Sequence, residues 1–385
     1  MFRPFAFSAY FFPIVCIRLD YMERFLLAYS EQSDWDLAIS DCLEQLEELP
    51  DEVTLGFVYF TDKHARHSGE ILRTLKEETG IVDWVGTIGM AVCCTAREFY
   101  DQPAIVILVT DLAKEHYRIF TNPKKLPGLE ASDGVRVAVV HGDPRNGQLP
   151  DLIHKLPEKI GNGFLTGGLT SSDSYHYQIA GDLQEGVISG VIFDDAVPIA
   201  SGLSQGCSPI GKVRTLTECE SNVAIEIDGR PALDVMKEDI GEVLSRDLNR
   251  IGGYIFAGFP VAGSDTGNYM VRNLIGIDEN SGAIAIGEYL QNNSPIMFCK
   301  RDSSTAVVDL TRMVTNLKKR AKDNIKGGLY FSCMGRGQHM FGQLSGEMEL
   351  IAEILGDVPL AGFYANGEIA GDQLYGYTGV LVLFL

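Results

Sequence analysis

Residues 327–368 read GGLYFSCMGRGQHMFGQLSGEMELIAEILGDVPLAGFYANGE, and this stretch decides the fold. Leu329–Ser332 is an apolar run of strand length that breaks at once into the glycine-rich turn Cys333-Met334-Gly335-Arg336-Gly337. Ser345 then starts a helix whose apolar positions Met348, Ile351, Ala352 and Leu355 recur at helical spacing, and Gly356 ends it. A second strand, Val358–Phe363, breaks into Asn366-Gly367-Glu368, and a last strand, Thr378–Phe384, closes the chain. Arg336 leaves one strand end; Asn366 and Glu368 leave the other, both through turns that glycine permits. A fixed cation and a fixed carboxylate at neighbouring strand ends suit a small zwitterion.

The same order of elements recurs upstream. Val53–Thr61 is a strand, Ser68–Glu78 a helix stopped by Gly80, and Asp83–Val92 and Ala104–Leu112 are strands. Val135–Asp143 begins a second instance, with a helix over Gln148–Ile160 weakened by Pro150 and Pro157, then strands in 163–173 and 186–195. Val58 to Gly86, Val139 to Gly167 and Tyr330 to Gly362 are comparable spans, so strand–turn–helix–strand–strand occurs three times. Before the first instance come a strand, Phe25–Tyr29, and a helix capped by Ser33 or Asp34. Between the second and third lie a broken strand, Ile199–Ile210, a strand–turn–helix junction around Asp228-Gly229-Arg230-Pro231, and four strands in a meander from Tyr254 to Arg301. A long helix from Ser303 or Ser304 to Lys326 follows. The fold class is α/β: two domains of mixed β-sheet flanked by helices, built from these repeats, with the boundary between residues 221 and 222.

Composition limits function. The 385 residues carry 52 acidic against 32 basic side chains, a net charge of −20, which opposes binding to nucleic acid or anionic lipid. The eight cysteines show no CxxC spacing and read as small core hydrophobes of a reducing, cytoplasmic compartment. Cys93 and Cys94, adjacent on a strand, point to opposite faces. The apolar run Phe5–Ile17 is shorter than the ~20 residues a bilayer span needs, so residues 1–21 read as a non-essential extension and membrane insertion is not expected. No Walker loop, HExxH or EF-hand pattern occurs.

The blocks LTGGLTSSD, SGLSQGCSPIG with IDGRPAL, FSCMGRG with MFG, and VPLAGFYANGEI with LYGYTGVLVLF resemble the FIST family, named for F-box and intracellular signal transduction. The resemblance runs from Met22 to Leu385, a FIST N-type half over 22–221 and a FIST C-type half over 222–385, and matches the stand-alone prokaryotic form. It implies a cytoplasmic sensory protein that binds small ligands, amino acids among them, and signals to a separate partner such as a histidine kinase or chemotaxis component. One branch of the family is described as haem-binding nitric-oxide sensors, so haem is the cofactor to test.

Candidate ligand-binding residues follow from the turns. Arg336 between Gly335 and Gly337 presents a guanidinium to an anion, with Glu368 beside Asn366 facing an ammonium. A bridge between Arg336 and Glu368 themselves is the structural alternative. Ser171 and Ser172 after Gly167-Gly168, and Gln205-Gly206-Cys207, are the matching turns of the first half and line the same pocket from the other side. Cys333 and Cys207 sit in glycine-flanked turns, where Arg336 is expected to lower a thiol pKa. His339 lies near Cys333, but no Cys–His–Asn arrangement supports a cysteine-dependent enzyme, and no enzymatic activity is expected. His64 and His67, just past a strand end, are the histidines placed to face a pocket as haem ligands.

Overall fold

The computed structural model describes residues 24–46, 49–50, 52–126, 134–248, 251–261, 267–322, 324–342 and 344–385. The extension 1–21, with Cys16, lies outside the described residues, as do Met22, Glu47 and Glu48.

The first unit comprises β1 (Phe25–Ser30), α1 (Trp35–Gln45), β2 (Leu55–Thr61), α2 (Ser68–Thr79), β3 (Asp83–Gly89), β4 (Ala91–Cys94), β5 (Arg97–Tyr100) and β6 (Ile105–Thr110). Asp34 caps α1 by accepting from the Asp36 N–H, and Gly80, left-handed at φ 72°, ends α2. The second unit comprises β7 (Tyr117–Phe120), β8 (Val137–Gly142), α3 (Leu149–Lys159), β9 (Phe164–Leu169), β10 (Gln178–Ala180), β11 (Asp182–Gln184) and β12 (Ile188–Phe193).

The third opens with β13 (Ile199–Gln205) and is then interrupted by β14 (Cys207–Glu220), β15 (Val223–Ile227), β16 (Arg230–Pro231), α4 (Ala232–Ser245), β17 (Ile255–Pro260), β18 (Tyr269–Asp278), β19 (Ala283–Ile286) and β20 (Pro295–Arg301). These strands form their own sheet, in the order β14-β20-β17-β18-β19-β15-β16, with α4 on its core face. The third unit resumes with α5 (Ser303–Ala321), β21 (Gly327–Cys333), α6 (Gln338–Phe341), α7 (Gly346–Leu355), β22 (Leu360–Ala365), β23 (Glu368–Ala370), β24 (Gln373–Tyr375) and β25 (Thr378–Phe384). Residues 221 and 222 form the turn between β14 and β15, inside the inserted sheet.

Each unit builds a sheet around two parallel strands, β2 with β3, β8 with β9 and β21 with β22. The returning strands β6, β12 and β25 pair antiparallel on the outer side, followed by the edge strands β1, β7 and β13. The short hairpin after each second parallel strand leaves its own unit. β4–β5 joins β22, β10–β11 joins β3, and β23–β24 joins β9, so three units exchange hairpins in a closed cycle.

The exchange ties the three sheets around one core. Phe57 and Tyr59, Val139 and Val191, and Phe331 and Phe363 meet there, with Tyr59 stacked on Phe363 at 5.4 Å. The opposite faces carry the helices: Val58 and Phe60 pack with α1 and α2, Val140 with α3, and Tyr330 and Leu381 with α5 and α7. Strands buried on both faces explain the continuous apolar runs in the sequence. Cys94 lies in the central core and Cys93 in the α5–α7 layer, on opposite faces as expected.

One glycine recurs for a steric reason. Gly86, Gly167 and Gly362 lie across from Val58, Val140 and Tyr330, and a Cβ at each would sit 1.8, 1.9 and 1.8 Å from the opposing carbonyl oxygen. No side chain fits, which is what makes the three spans align in the sequence.

Candidate functional site

Most of the turns singled out in the sequence gather at one end of the β13-β25-β21-β22 sheet, where β21 and β22 finish and β13 hands the chain to the inserted sheet. Arg336 is fully buried there. The guanidinium Nε and Nη2 each lie 2.7 Å from Glu347 Oε1, and Nη1 and Nη2 reach the Ser204 carbonyl and hydroxyl at 3.4 and 3.3 Å. Glu347 also accepts from Tyr330 Oη (2.6 Å), Ser332 Oγ (3.0 Å) and the Gly337 N–H (3.0 Å). Burial alone pushes the Arg336 pKa down, but the adjoining carboxylate outweighs it and the net shift is upward. The sequence reading set Arg336 against Glu368 across a ligand; the structure sets Glu347, in the first turn of α7, against the guanidinium instead. That turn is itself capped from the first unit, because Glu98 Oε1 accepts the Glu347 and Met348 N–H groups, both at 3.0 Å.

Glu368 is also fully buried. Its Oε2 accepts the Thr378 N–H at 3.1 Å and hydroxyl at 2.8 Å, while Oε1 has no hydrogen-bond partner. Burial raises its pKa to about 8 despite those bonds and the field of Arg336, so the group is largely a neutral acid at pH 7. Cys333 corrects another expectation. Its thiol pKa is raised, by burial first and then by Glu368, and these outweigh the lowering by Arg336. Burial pushes Cys207 up to about 12.

Gln205 donates its backbone N–H to Asp309 Oδ2 (2.7 Å) and its Nε2 to the Tyr269 carbonyl (3.2 Å). The Gly206 carbonyl accepts the Asp302 N–H and the Cys207 carbonyl the Tyr269 hydroxyl. Arg301 donates to the Gly335 carbonyl, and Tyr377 packs on Phe256 at 4.4 Å and bonds Asn273 at 3.0 Å. The inserted sheet therefore lies over these turns and seals them. Ser171 belongs to the neighbourhood, donating to the Tyr364 carbonyl and accepting the Met90 N–H at 2.9 Å. Ser172 does not: its hydroxyl goes to Asp62, beside α2. Asn366 is exposed, its backbone N–H held by the Leu169 carbonyl at 3.0 Å.

Open space between the two halves lies nearby, around the Gly371–Asp372 turn that links β23 to β24. A cleft of about 880 Å³ separates α3 (Pro150, Asp151, His154) from β17, β18 and β19 of the inserted sheet, with Asp372–Leu374 at one end. Arg272 of β18 spans it: Nε lies 2.8 Å from Glu288 and Nη2 donates to the Leu374 carbonyl at 3.0 Å. His154 Nδ1 lies 3.1 Å from Asp372 on the facing side. A second cavity of about 390 Å³ lies on the other side of the hairpin, against α5 and β13, and a third of about 590 Å³ lies along α3. Asp372 borders all three.

Sequence reasoning passed over Arg272, Asp372 and the polar edge of α5. Arg272 carried a signal, a charge in the middle of the apolar strand YMVRNLIG. Neither of the two histidines expected to serve haem lines these cavities. His64 is buried with Nε2 unpartnered, and His67 stacks on Trp35 at 5.6 Å. Among the described residues no group of three His, Cys, Asp or Glu side chains is placed to hold a metal ion.

Residues 54–230 match the FIST N domain and residues 232–371 the FIST C domain. An uncharacterised protein of Mycobacterium tuberculosis (strain ATCC 25618 / H37Rv) is 34% identical over 254 residues, 63% of this chain and 65% of the relative. The match thus spans just under two thirds of that relative's length. An uncharacterised protein of Mycobacterium bovis is 29% identical over 357 residues, 84% of this chain and 88% of the relative.

Proposed function

Because the chain belongs to the FIST family, whose domains are associated with sensing in signal transduction, we propose that it is a small-ligand sensor working at the cleft between its inserted sheet and its three-unit body. The observation that carries this reading is Arg272, the partly buried cation that crosses the cleft to Glu288 and to the Leu374 carbonyl. A ligand carboxylate entering the cleft competes for that guanidinium, which is built for bidentate recognition. Amino acids are the class we propose, since the cleft also offers Asp151 and Asp372 to an ammonium.

Signalling then follows by population shift. A ligand that bonds both walls favours one arrangement of the inserted sheet relative to the body, and a partner reads that arrangement. We propose a histidine kinase or chemotaxis component as that partner, a cytoplasmic setting, and binding without catalysis. The seven described cysteines are all free, which supports a reducing compartment, and no helix among the described residues is long and apolar enough to cross a membrane.

The test is calorimetry with a panel of the twenty amino acids on the full chain and on Arg272→Ala. At least one amino acid is expected to bind, with affinity reduced about tenfold or more in the variant. Binding unchanged by the substitution would remove Arg272 from the site, and no binding across the panel would end the amino-acid reading.

A further inference from the structure

The smaller cavity against α5 has a chemistry of its own. Leu203 of β13, Leu317 of α5, Phe164, Val261 and Tyr375 give it an apolar lining. Its depth is set by Gly202, where a Cβ would meet the Met313 side chain at 2.9 Å, so α5 packs directly on the β13 backbone. On the α5 side stand Arg312, Asn316 and Arg320, spaced four residues apart and therefore stacked along one edge of the helix. Arg312 is neutralised by Asp309, with Nε at 2.9 Å and Nη2 at 2.7 Å. Arg320 is exposed and has no ion-pair partner among the described residues. In a chain with net charge −20, an unmatched arginine over an apolar pocket is out of pattern.

We propose that this cavity binds a small carboxylate carrying an apolar body. Arg320 takes the carboxylate through its paired N–H groups, Asn316 adds an amide donor one turn away, and the apolar body lies against Leu203, Leu317 and Tyr375. At about 390 Å³ the space suits a compact ligand, near the lower end of the range of about 300–1,000 Å³ in which small molecules bind. Asp372, on the hairpin side and 3.1 Å from His154, is placed to accept an ammonium when the ligand is an α-amino acid, although the proposal requires only the carboxylate and the apolar body. The assignment deepens the sensing reading and rests on it for its biological purpose. It adds a second site, between α5 and the hairpin, apart from the Arg272 cleft.

Calorimetry on the full chain with 3-phenylpropionate, 3-phenylpropionamide and L-phenylalanine tests this. The carboxylate is expected to saturate the protein, the uncharged amide to bind at least tenfold more weakly, and Arg320→Gln to weaken the carboxylate by about tenfold or more. Arg73→Gln, on the exposed face of α2, should leave 3-phenylpropionate within twofold. L-Phenylalanine binding tighter than 3-phenylpropionate would assign Asp372 to the ammonium, and equal binding would leave the carboxylate as the recognised group. No saturation by either carboxylate at about 10 mM, or equal binding by Arg320→Gln, overturns the proposal. 3-Phenylpropionate binding that survives Arg320→Gln but is lost in Arg272→Ala sinks this inference while the sensing reading stands.

Discussion

Replacing Glu347 by glutamine isolates what holds the strand-end turns. The substitution keeps the shape and one carbonyl acceptor but leaves the Arg336 guanidinium, fully buried, without its counter-ion. Its remaining partners are the Ser204 carbonyl and hydroxyl at 3.3–3.4 Å, both neutral and both long. Glu368 makes no hydrogen bond to the guanidinium that could replace the pair, its Oε2 being held by Thr378. The three further donors that converge on Glu347, from Tyr330, Ser332 and Gly337, then face a single carbonyl and an NH2 group with no acceptor for it. Breaking one side of a buried pair costs about 3–5 kcal/mol. With a urea slope of about 3 kcal/mol/M, the unfolding midpoint should fall by roughly 1–1.7 M. Urea titration followed by circular dichroism reads it. Pairing Glu347→Gln with Arg336→Met should cost at least about 2 kcal/mol less than the sum of the two singles, since the stranded charge is gone. A midpoint shift of Glu347→Gln below about 0.3 M, or strict additivity, would refute the reasoning.

Glu368 gives a pH signature. The unfolded carboxyl releases its proton near 4.5 and the folded one near 8, so stability falls as pH rises through that interval and levels off above it. Glu368→Gln should therefore gain Tm relative to wild type progressively from pH 4.5 to 8, with no gain near pH 4.5; a pH-independent difference would contradict it. Thiol labelling of the native chain at pH 8 should be slow at Cys42, Cys93, Cys94, Cys207, Cys299 and Cys333, whose pKa values burial raises, and fast labelling of Cys333 would reopen a reactive-thiol role. Gly362→Ala forces its Cβ toward the Tyr330 carbonyl and should cost several kcal/mol or prevent soluble expression, whereas a Tm within 2 °C of wild type would refute the close-approach explanation.

The repeating architecture was legible because it rests on local signals. Val58, Val140 and Tyr330 lie in apolar runs, each followed by a helix and a glycine that has no room for a side chain. The hairpin exchange was not legible. Strands such as Ala91–Cys94 and Glu368–Ala370 are three or four residues long, too short for periodicity, and their partners lie in other units. The expected strand Asp83–Val92 is therefore two strands, parting at Met90 into different sheets. The strand-end gathering of Arg336, Cys333, Gln205 and Glu368 was readable from the glycine turns, but their sealing was not. It depends on Arg301, Tyr269 and Phe256 of the inserted sheet and on Glu347, which in sequence is one more acid in a helix first turn. Arg320 and Asp372 come together only through a hairpin donated to another sheet.

Hydrogen exchange of the full chain, with and without a saturating amino acid from the calorimetric panel, tests the ligand-driven arrangement most directly. Protection should rise together in β18 around Arg272 and in the β23–β24 hairpin around Leu374, the two walls that Arg272 already joins. Binding that leaves both segments unchanged, or that protects one wall alone, would contradict a ligand that acts by holding the inserted sheet against the body.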